Sequence, residues 1–156
     1  MNRIAVIQIR GIIGTNKKLI EILKMLRLYK KNSCSIISDK PNHIGMLNLI
    51  KDYVTWGELD KETFKLLLEK RGRIYGNKTL TPSYLKEKIN LDLNGFVEDF
   101  INFKKELRDI PGLKQFFRLK PPLSGFERGG IKRPYSIGGA LGYRRDAING
   151  LIRRMV

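Results

Sequence analysis

Sulfur and imidazole are scarce in this 156-residue chain, which has one cysteine, Cys34, and one histidine, His43. A lone cysteine excludes an internal disulfide and any zinc site built on cysteines, and its apolar flanks point to plain core packing. A lone histidine excludes a multi-histidine metal site. Beside Asn42 at a helix start, His43 reads as a capping or surface residue. Long apolar runs are missing too: none approaches the roughly 18 to 20 residues needed to span a bilayer. The start, Met1-Asn2-Arg3-Ile4-Ala5-Val6-Ile7, has neither the apolar stretch nor the cleavage site of a signal peptide. The expected compartment is therefore the cytoplasm, with no membrane partner.

Catalytic and nucleotide patterns are absent as well. Gly11-Ile12-Ile13-Gly14-Thr15 follows a strand-like segment, but it lacks the Gly-Lys-Ser/Thr of a phosphate loop and the three spaced glycines of a dinucleotide loop. It is either a plain turn or a turn whose backbone N–H groups lie near a phosphate. Gly138-Gly139-Ala140-Leu141-Gly142 has no strand leading into it and no closing Lys-Ser/Thr. Its glycines suit a close backbone approach to another surface, with RNA as the candidate. No nucleophile elbow or paired carboxylates stand in a cleft context. The expectation is a non-enzyme with no cofactor, no metal and no small-molecule substrate.

Acid is the last shortage, and it is the most informative. Fifteen Asp and Glu face 31 Lys and Arg, for a net charge of +16 and a pI near 10.1. Such an excess repels itself and calls for a polyanion. Residues 1–57 carry ten basic and three acidic side chains (+7), residues 58–106 ten and nine (+1), and residues 107–156 eleven and three (+8). The polyanion contact is thus expected mainly in the two end segments. Five basic doublets, Lys17-Lys18, Lys30-Lys31, Lys132-Arg133, Arg144-Arg145 and Arg153-Arg154, have few acids beside them, unlike an ordinary solvated helix face.

What is present reads as an α+β chain. β-Branched residues predict a strand over 3–10, then a helix capped by Thr15 or Asn16 with Leu19, Ile22, Leu23 and Leu26 on one face. A strand over 33–38 ends in the turn residues 39–42, a helix spans 43–52, and a strand covers 53–56. This β-α-β-α-β order suggests a three-stranded core with both helices on one face, and parallel pairing between strands joined through a helix. Helices follow over 61–71, from Thr81-Pro82, and from Asn94 onward. From Ile110, basic and aromatic residues interleave with Pro and Gly in an extended arm closed by a helix over 147–155, which leaves its arginines for solvent or phosphate. The segments are 1–58 (core), 59–107 (helical extension) and 108–156 (basic arm). Deleting 108–156 is expected to leave a folded core with weaker affinity for its polyanion.

Several runs together carry a resemblance. They are Met25-Leu26-Arg27-Leu28, Asn32-Ser33-Cys34, Gly45-Met46-Leu47, Lys51-Asp52-Tyr53-Val54-Thr55-Trp56-Gly57-Glu58, Arg71-Gly72-Arg73, Gly76-Asn77-Lys78, Phe117-Arg118-Leu119 before Pro121-Pro122, Gly130-Ile131-Lys132-Arg133-Pro134-Tyr135, and Gly138-Gly139-Ala140-Leu141-Gly142-Tyr143-Arg144. Over nearly the whole chain this is similar to the large-subunit ribosomal protein thirty family, whose eukaryotic member is protein L-seven. Bacterial members look like residues 1–58 alone, and a core with a C-terminal extension but no long basic N-terminal one is the archaeal form.

The resemblance implies a ferredoxin-like core and a structural role on the ribosome, with large-subunit rRNA and neighbouring large-subunit proteins as partners. The residues expected to bind rRNA are Arg10, Lys17, Lys18, Arg27, Lys30 and Lys31 in the core. In the arm they are Arg118, Arg128, Lys132, Arg133, Tyr143, Arg144 and Arg145. Tyr135 and Trp56 could equally be core. A free-standing RNA- or DNA-binding regulator is the alternative, and a nucleotide-dependent enzyme a distant third.

Overall fold

Arg3–Gln8 forms β1, and every one of its residues is buried. Successive side chains of a strand point to opposite faces, so a fully buried strand must be covered on both. In the computed structural model, which describes residues 2–156, Ile4 and Val6 join one apolar cluster while Ala5, Ile7 and Ile9 join another. Met1, where the expected core segment begins, lies outside the described residues.

The first face is covered by α1 (Lys17–Met25) and α2 (Pro41–Leu49), through Leu23, Leu26, Leu28, Leu47 and Ile50. Asn16 caps α1, its Oδ1 accepting the Lys18 N–H at 3.1 Å. Pro41 stands in the first turn of α2, where its missing N–H has no helical partner to lose. The expected turn over 39–42 therefore contains the helix start.

β2 (Ser33–Ser38) and β3 (Val54–Glu58) flank β1, and both run antiparallel to it. The expected parallel pairing of β1 with β2 is therefore wrong. The chain leaves β1 at Gln8 and returns to β2 at the same end of the sheet, where the Asn32 N–H donates to the Gln8 carbonyl at 2.8 Å. α1 is thus an insertion in a wide hairpin connection rather than a crossover. Only α2 carries the chain across the sheet, and β2 and β3, which it joins, run in the same direction on either side of β1.

The other face is covered by the rest of the chain. This layer comprises α3 (Lys61–Arg71), α4 (Pro82–Ile89), α5 (Leu93–Ile101) and α6 (Ala147–Met155). Phe64, Leu67, Leu85, Phe96, Phe100, Ile148, Leu151, Ile152 and Met155 pack with Ala5, Ile7 and Ile9 in one cluster, with Phe64 and Phe100 stacked at 4.3 Å. The helix expected from Asn94 onward ends at Ile101, and Leu107 is buried from a separate 3-10 turn, Leu107–Asp109.

The arm also adds two strands. β4 (Phe117–Arg118) pairs with β2, and β5 (Gly142–Tyr143) runs parallel to β3, so the sheet has five strands in the order β4-β2-β1-β3-β5. Two-residue strands have too little length to show a period, so an extended arm was all the pattern could suggest.

Cys34 is fully buried beneath the second layer, and burial pushes its thiol up to about 12. A thiolate is the reactive form. The native protein should therefore give almost no colour with a disulfide thiol reagent at pH 8, and one equivalent in denaturant; rapid reaction in native buffer would contradict this packing.

Candidate nucleic-acid interface

The strand register sorts the basic residues in space. The C-terminal ends of β1 and β4 lie beside the N-terminal ends of β2, β3 and β5. Everything that enters or leaves the sheet there shares one end of the molecule. Arg10 follows β1, Lys17 and Lys18 open α1 beyond the Gly11–Gly14 turn, Lys30 and Lys31 precede β2, and Arg118 ends β4. The loop before β5 brings Arg128, Lys132 and Arg133. All of these are exposed except Arg10, which is half-buried. Its guanidinium donates to the Asp52 carbonyl at 3.3 Å and lies 5.2 Å from the centre of the Tyr53 ring.

At the opposite end, Asp39 follows β2, Asp60 follows β3 and Asp146 follows β5, with Glu58 closing β3. Lys40, Lys61 and Arg145 adjoin those acids, so this end is mixed in sign, whereas the first end is predominantly basic, with Asp52 before β3 among its few acids. Ile13, at the tip of the Gly11–Gly14 turn on the cationic end, is fully exposed.

Three expected contacts lie elsewhere. Arg27 lines a crevice with His43 and Glu106. His43 is half-buried there, its Nδ1 2.8 Å from the Ser38 carbonyl oxygen and able to donate to it. Tyr143 is 48% exposed on the β5 edge, and its hydroxyl donates to the Glu58 carboxylate. Arg145 is exposed just beyond β5, towards the end of mixed sign.

Arg144 is a correction. Its side chain is 1% exposed. Nε donates to Thr55 Oγ1 at 2.8 Å, the two Nη groups grip Glu127 at 2.8 and 3.2 Å, and Nη2 also reaches the Ala140 carbonyl at 2.8 Å. The guanidinium lies 4.6 Å from the centre of the Tyr135 ring. Arg144 ties the arm to β3 and has no surface to offer a phosphate.

Burial alone would raise the Glu127 carboxyl. Hydrogen bonds from Arg144 and from its own backbone, with the charges of Arg144 and Arg154, outweigh that and hold it below the usual carboxylate value. Arg153 and Arg154 are also partly engaged, with Glu62 at 3.1 Å and with Glu127 at 3.5 Å. Trp56 is 7% exposed and belongs to the core.

In the Gly138–Gly142 loop, Gly139 serves internal approach, since a Cβ there would stand 2.1 Å from the Arg133 carbonyl oxygen, while Gly138 and Gly142 have open space around them.

Three basic residues outside the expected set stand near the cationic end. Arg71 and Arg73 arrive at and after the C-terminus of α3, and Lys114 lies beside Arg73, its N–H donating to the Arg73 carbonyl at 2.8 Å. The near-neutral sum of residues 58–106 hid the first two, because α3 starts with acid at the other end of the sheet and finishes with base at this one. Arg3, also outside the expected set, lies at the opposite end, buried in β1, donating to the Phe100 and Lys105 carbonyls and stacked 4.0 Å from the centres of the Phe100 and Phe103 rings.

Known proteins match this chain closely. A model of the ribosomal protein L30p/L7e family matches residues 4–54. The large ribosomal subunit protein uL30 of Methanopyrus kandleri is 48% identical over 94% of this chain and 99% of its own length. Those of Methanococcus vannielii and Archaeoglobus fulgidus are 45% and 43% identical, each over 97% of this chain and 98% of their own. The chain belongs to the uL30 family.

As a uL30 chain it is a ribosomal protein of archaeal type, not an enzyme. The uL30 family model ends at the first residue of β3, yet the archaeal relatives align through the arm. β4, β5 and α6 thus lie in the part shared with full-length uL30 proteins. No helix among the described residues is long and apolar enough to cross a membrane.

Proposed function

We propose that the protein is a structural constituent of the large ribosomal subunit that binds large-subunit rRNA through the cationic end of its sheet. The gathering of Arg10, Lys17, Lys18, Lys30, Lys31, Arg118, Arg128, Lys132 and Arg133 at one end, with the carboxylates of Asp39, Glu58, Asp60 and Asp146 at the other, carries this reading. A cation facing a phosphate releases condensed counterions, which drives binding without base recognition. Exposed aromatic faces can add stacking on unpaired bases. Arg27, Tyr143 and Arg145, on other surfaces, are available to a second rRNA segment or to neighbouring large-subunit proteins.

Six or more neutralised phosphates give a log–log slope of affinity against salt steeper than about −4. Lys132→Gln with Arg133→Gln should flatten that slope by about 1.4 to 1.8 on large-subunit rRNA, measured by filter binding at several salt concentrations. Sedimentation supplies the stricter test: the protein should travel with large subunits through a sucrose gradient of a native lysate. A free pool with nothing in the large-subunit fractions would instead point to a free-standing regulator and defeat the proposal.

A further inference from the structure

At the cationic end, beside the end of α3, lies a cleft of about 380 Å³ lined by Tyr29, Lys30, Ser33, Arg71, Arg73, Asn77, Lys114, Phe116 and Arg118. We infer that this cleft is a socket for one unpaired RNA nucleotide, with its base against the Tyr29–Phe116 pair and its phosphates among the five surrounding cations. The inference rests on the rRNA-binding reading and adds the kind of RNA the site takes.

Three observations support it. The volume is within the range of sites that enclose a small organic group, about 300 to 1,000 Å³. The charge is unmatched: five of the nine lining residues are cationic, none is acidic, and none of the five enters an ion pair among the described residues. Within that cationic set, Arg71 Nε is buried without a hydrogen-bond acceptor, and a buried donor left so is costly until an acceptor arrives.

The third observation is aromatic. Tyr29 and Phe116 meet edge to face, with centroids 5.4 Å apart and planes at 76°. In that arrangement the ring presenting its edge keeps both of its own faces clear of the other. Tyr29 is 46% exposed.

Local structure explains how these groups meet. β4 pairs Cys34 with Phe117 and Ser33 with Arg118. Strand alternation then turns Phe117 into the core and leaves Phe116 and Arg118 facing out over the residues before β2. Lys114 Nζ donates to Asn77 Oδ1 at 3.2 Å across the mouth. A duplex fits this chemistry poorly, because its bases already stack on each other and the deep groove of A-form RNA is too narrow for side chains. An unpaired nucleotide offers both a π-face and a phosphate.

The test uses the full-length protein with a ten-residue single-stranded oligoadenylate carrying one 2-aminopurine, and a duplex RNA with the same number of phosphates. The wild type should quench the 2-aminopurine and favour the single strand. Tyr29→Leu with Phe116→Leu should cut single-strand affinity about 5- to 150-fold, the range of one lost stack, and lower the ratio of single-strand to duplex affinity. Arg71→Gln with Arg73→Gln should flatten the single-strand salt slope by about 1.4, two phosphates' worth.

Circular dichroism tests whether each variant is folded. Should the aromatic pair fail to fold, the arginine pair and the wild-type quench still decide. A folded aromatic variant with wild-type single-strand affinity, or a wild type that prefers the duplex, overturns the socket. So does equal displacement of the oligonucleotide by oligoglutamate, which would mark a seat for an acidic protein segment. Any of these results, with large-subunit rRNA binding intact, leaves the broader proposal standing; failure of the wild type to bind that rRNA at all strikes the broader proposal itself.

Discussion

Truncation after residue 107 should abolish cooperative unfolding altogether. The segment it removes supplies Phe117, Leu119, Ala140, Leu141, Ile148, Leu151, Ile152 and Met155, all buried. Full burial of one such large side chain contributes about 1.5 to 3 kcal/mol. The four from α6 alone therefore supply about 6 to 12 kcal/mol, against a typical total of about 5 to 15 kcal/mol for a native domain. Loss of the arm also strips Ala5, Ile7, Ile9 and Cys34 of part of their cover. The packing thus argues against a folded core with reduced affinity as the outcome of this truncation. The measurement is a thermal or urea melt of residues 1–107 followed by circular dichroism. A sharp transition near that of the intact chain would show that the first two segments stand alone. A milder version, Leu151→Ala, should cost about 2 to 5 kcal/mol.

The second large effect lies in one ion pair. Arg144→Met should destabilise the protein by about 3 kcal/mol, because it leaves the buried Thr55 and Ala140 acceptors without their donor and Glu127, 22% exposed, with only the longer Arg154 contact. In a chain of this size that corresponds to a fall of about 6 to 12 °C in Tm. Glu127→Gln with Arg144→Met should cost less than the two single changes added together, since both remove one interaction.

Acid provides an independent check. The Glu127 carboxyl sits lower in the folded protein than in the unfolded chain, where a glutamate titrates near about 4.3. Its stabilisation is therefore complete above that value and is lost as pH falls through the folded one. The Arg144→Met protein should show a shallower acid loss below about pH 4. Had Arg144 been an RNA contact, the substitution would weaken rRNA binding and leave Tm unchanged. That outcome, with both quantities measured, is the one that would falsify the assignment.

Local structure was legible wherever a local rule governs it. The β-branched run of β1, the Asn16 and Thr81 caps, Pro82 in the first turn of α4 and the stop at Gly72 each act within a few residues. Strand direction was not legible, because nothing in a helix's own pattern says whether it lies along the strands or across them, and α1 lies within a hairpin connection. The interface was legible as a set of residue types more than as a place. Net charge over a segment averages along α3, whereas the fold separates its two ends in space.

Arg144 is instructive for the opposite reason. It is adjacent to Arg145, where a φ of 49° turns the chain out of the strand, so that one arginine is buried and the next is exposed. A basic doublet at the end of a strand therefore need not present both charges to one surface.

The edges of the sheet bear on how the chain is made. Gly142 closes one edge against Thr55, a partner 87 residues earlier in the chain, and β4 closes the other against β2. During synthesis at roughly 5 to 20 residues per second, the three central strands emerge many seconds before either seal. Until then they carry unpaired backbone on both sides, the arrangement most prone to pairing with another chain. The last nine residues to join the fold, those of α6, are also the ones that cap the exposed apolar face. A nascent chain of this protein is thus exposed to aggregation until α6 has been made, and Ile148, Leu151, Ile152 and Met155 end that exposure only once they have cleared the exit tunnel.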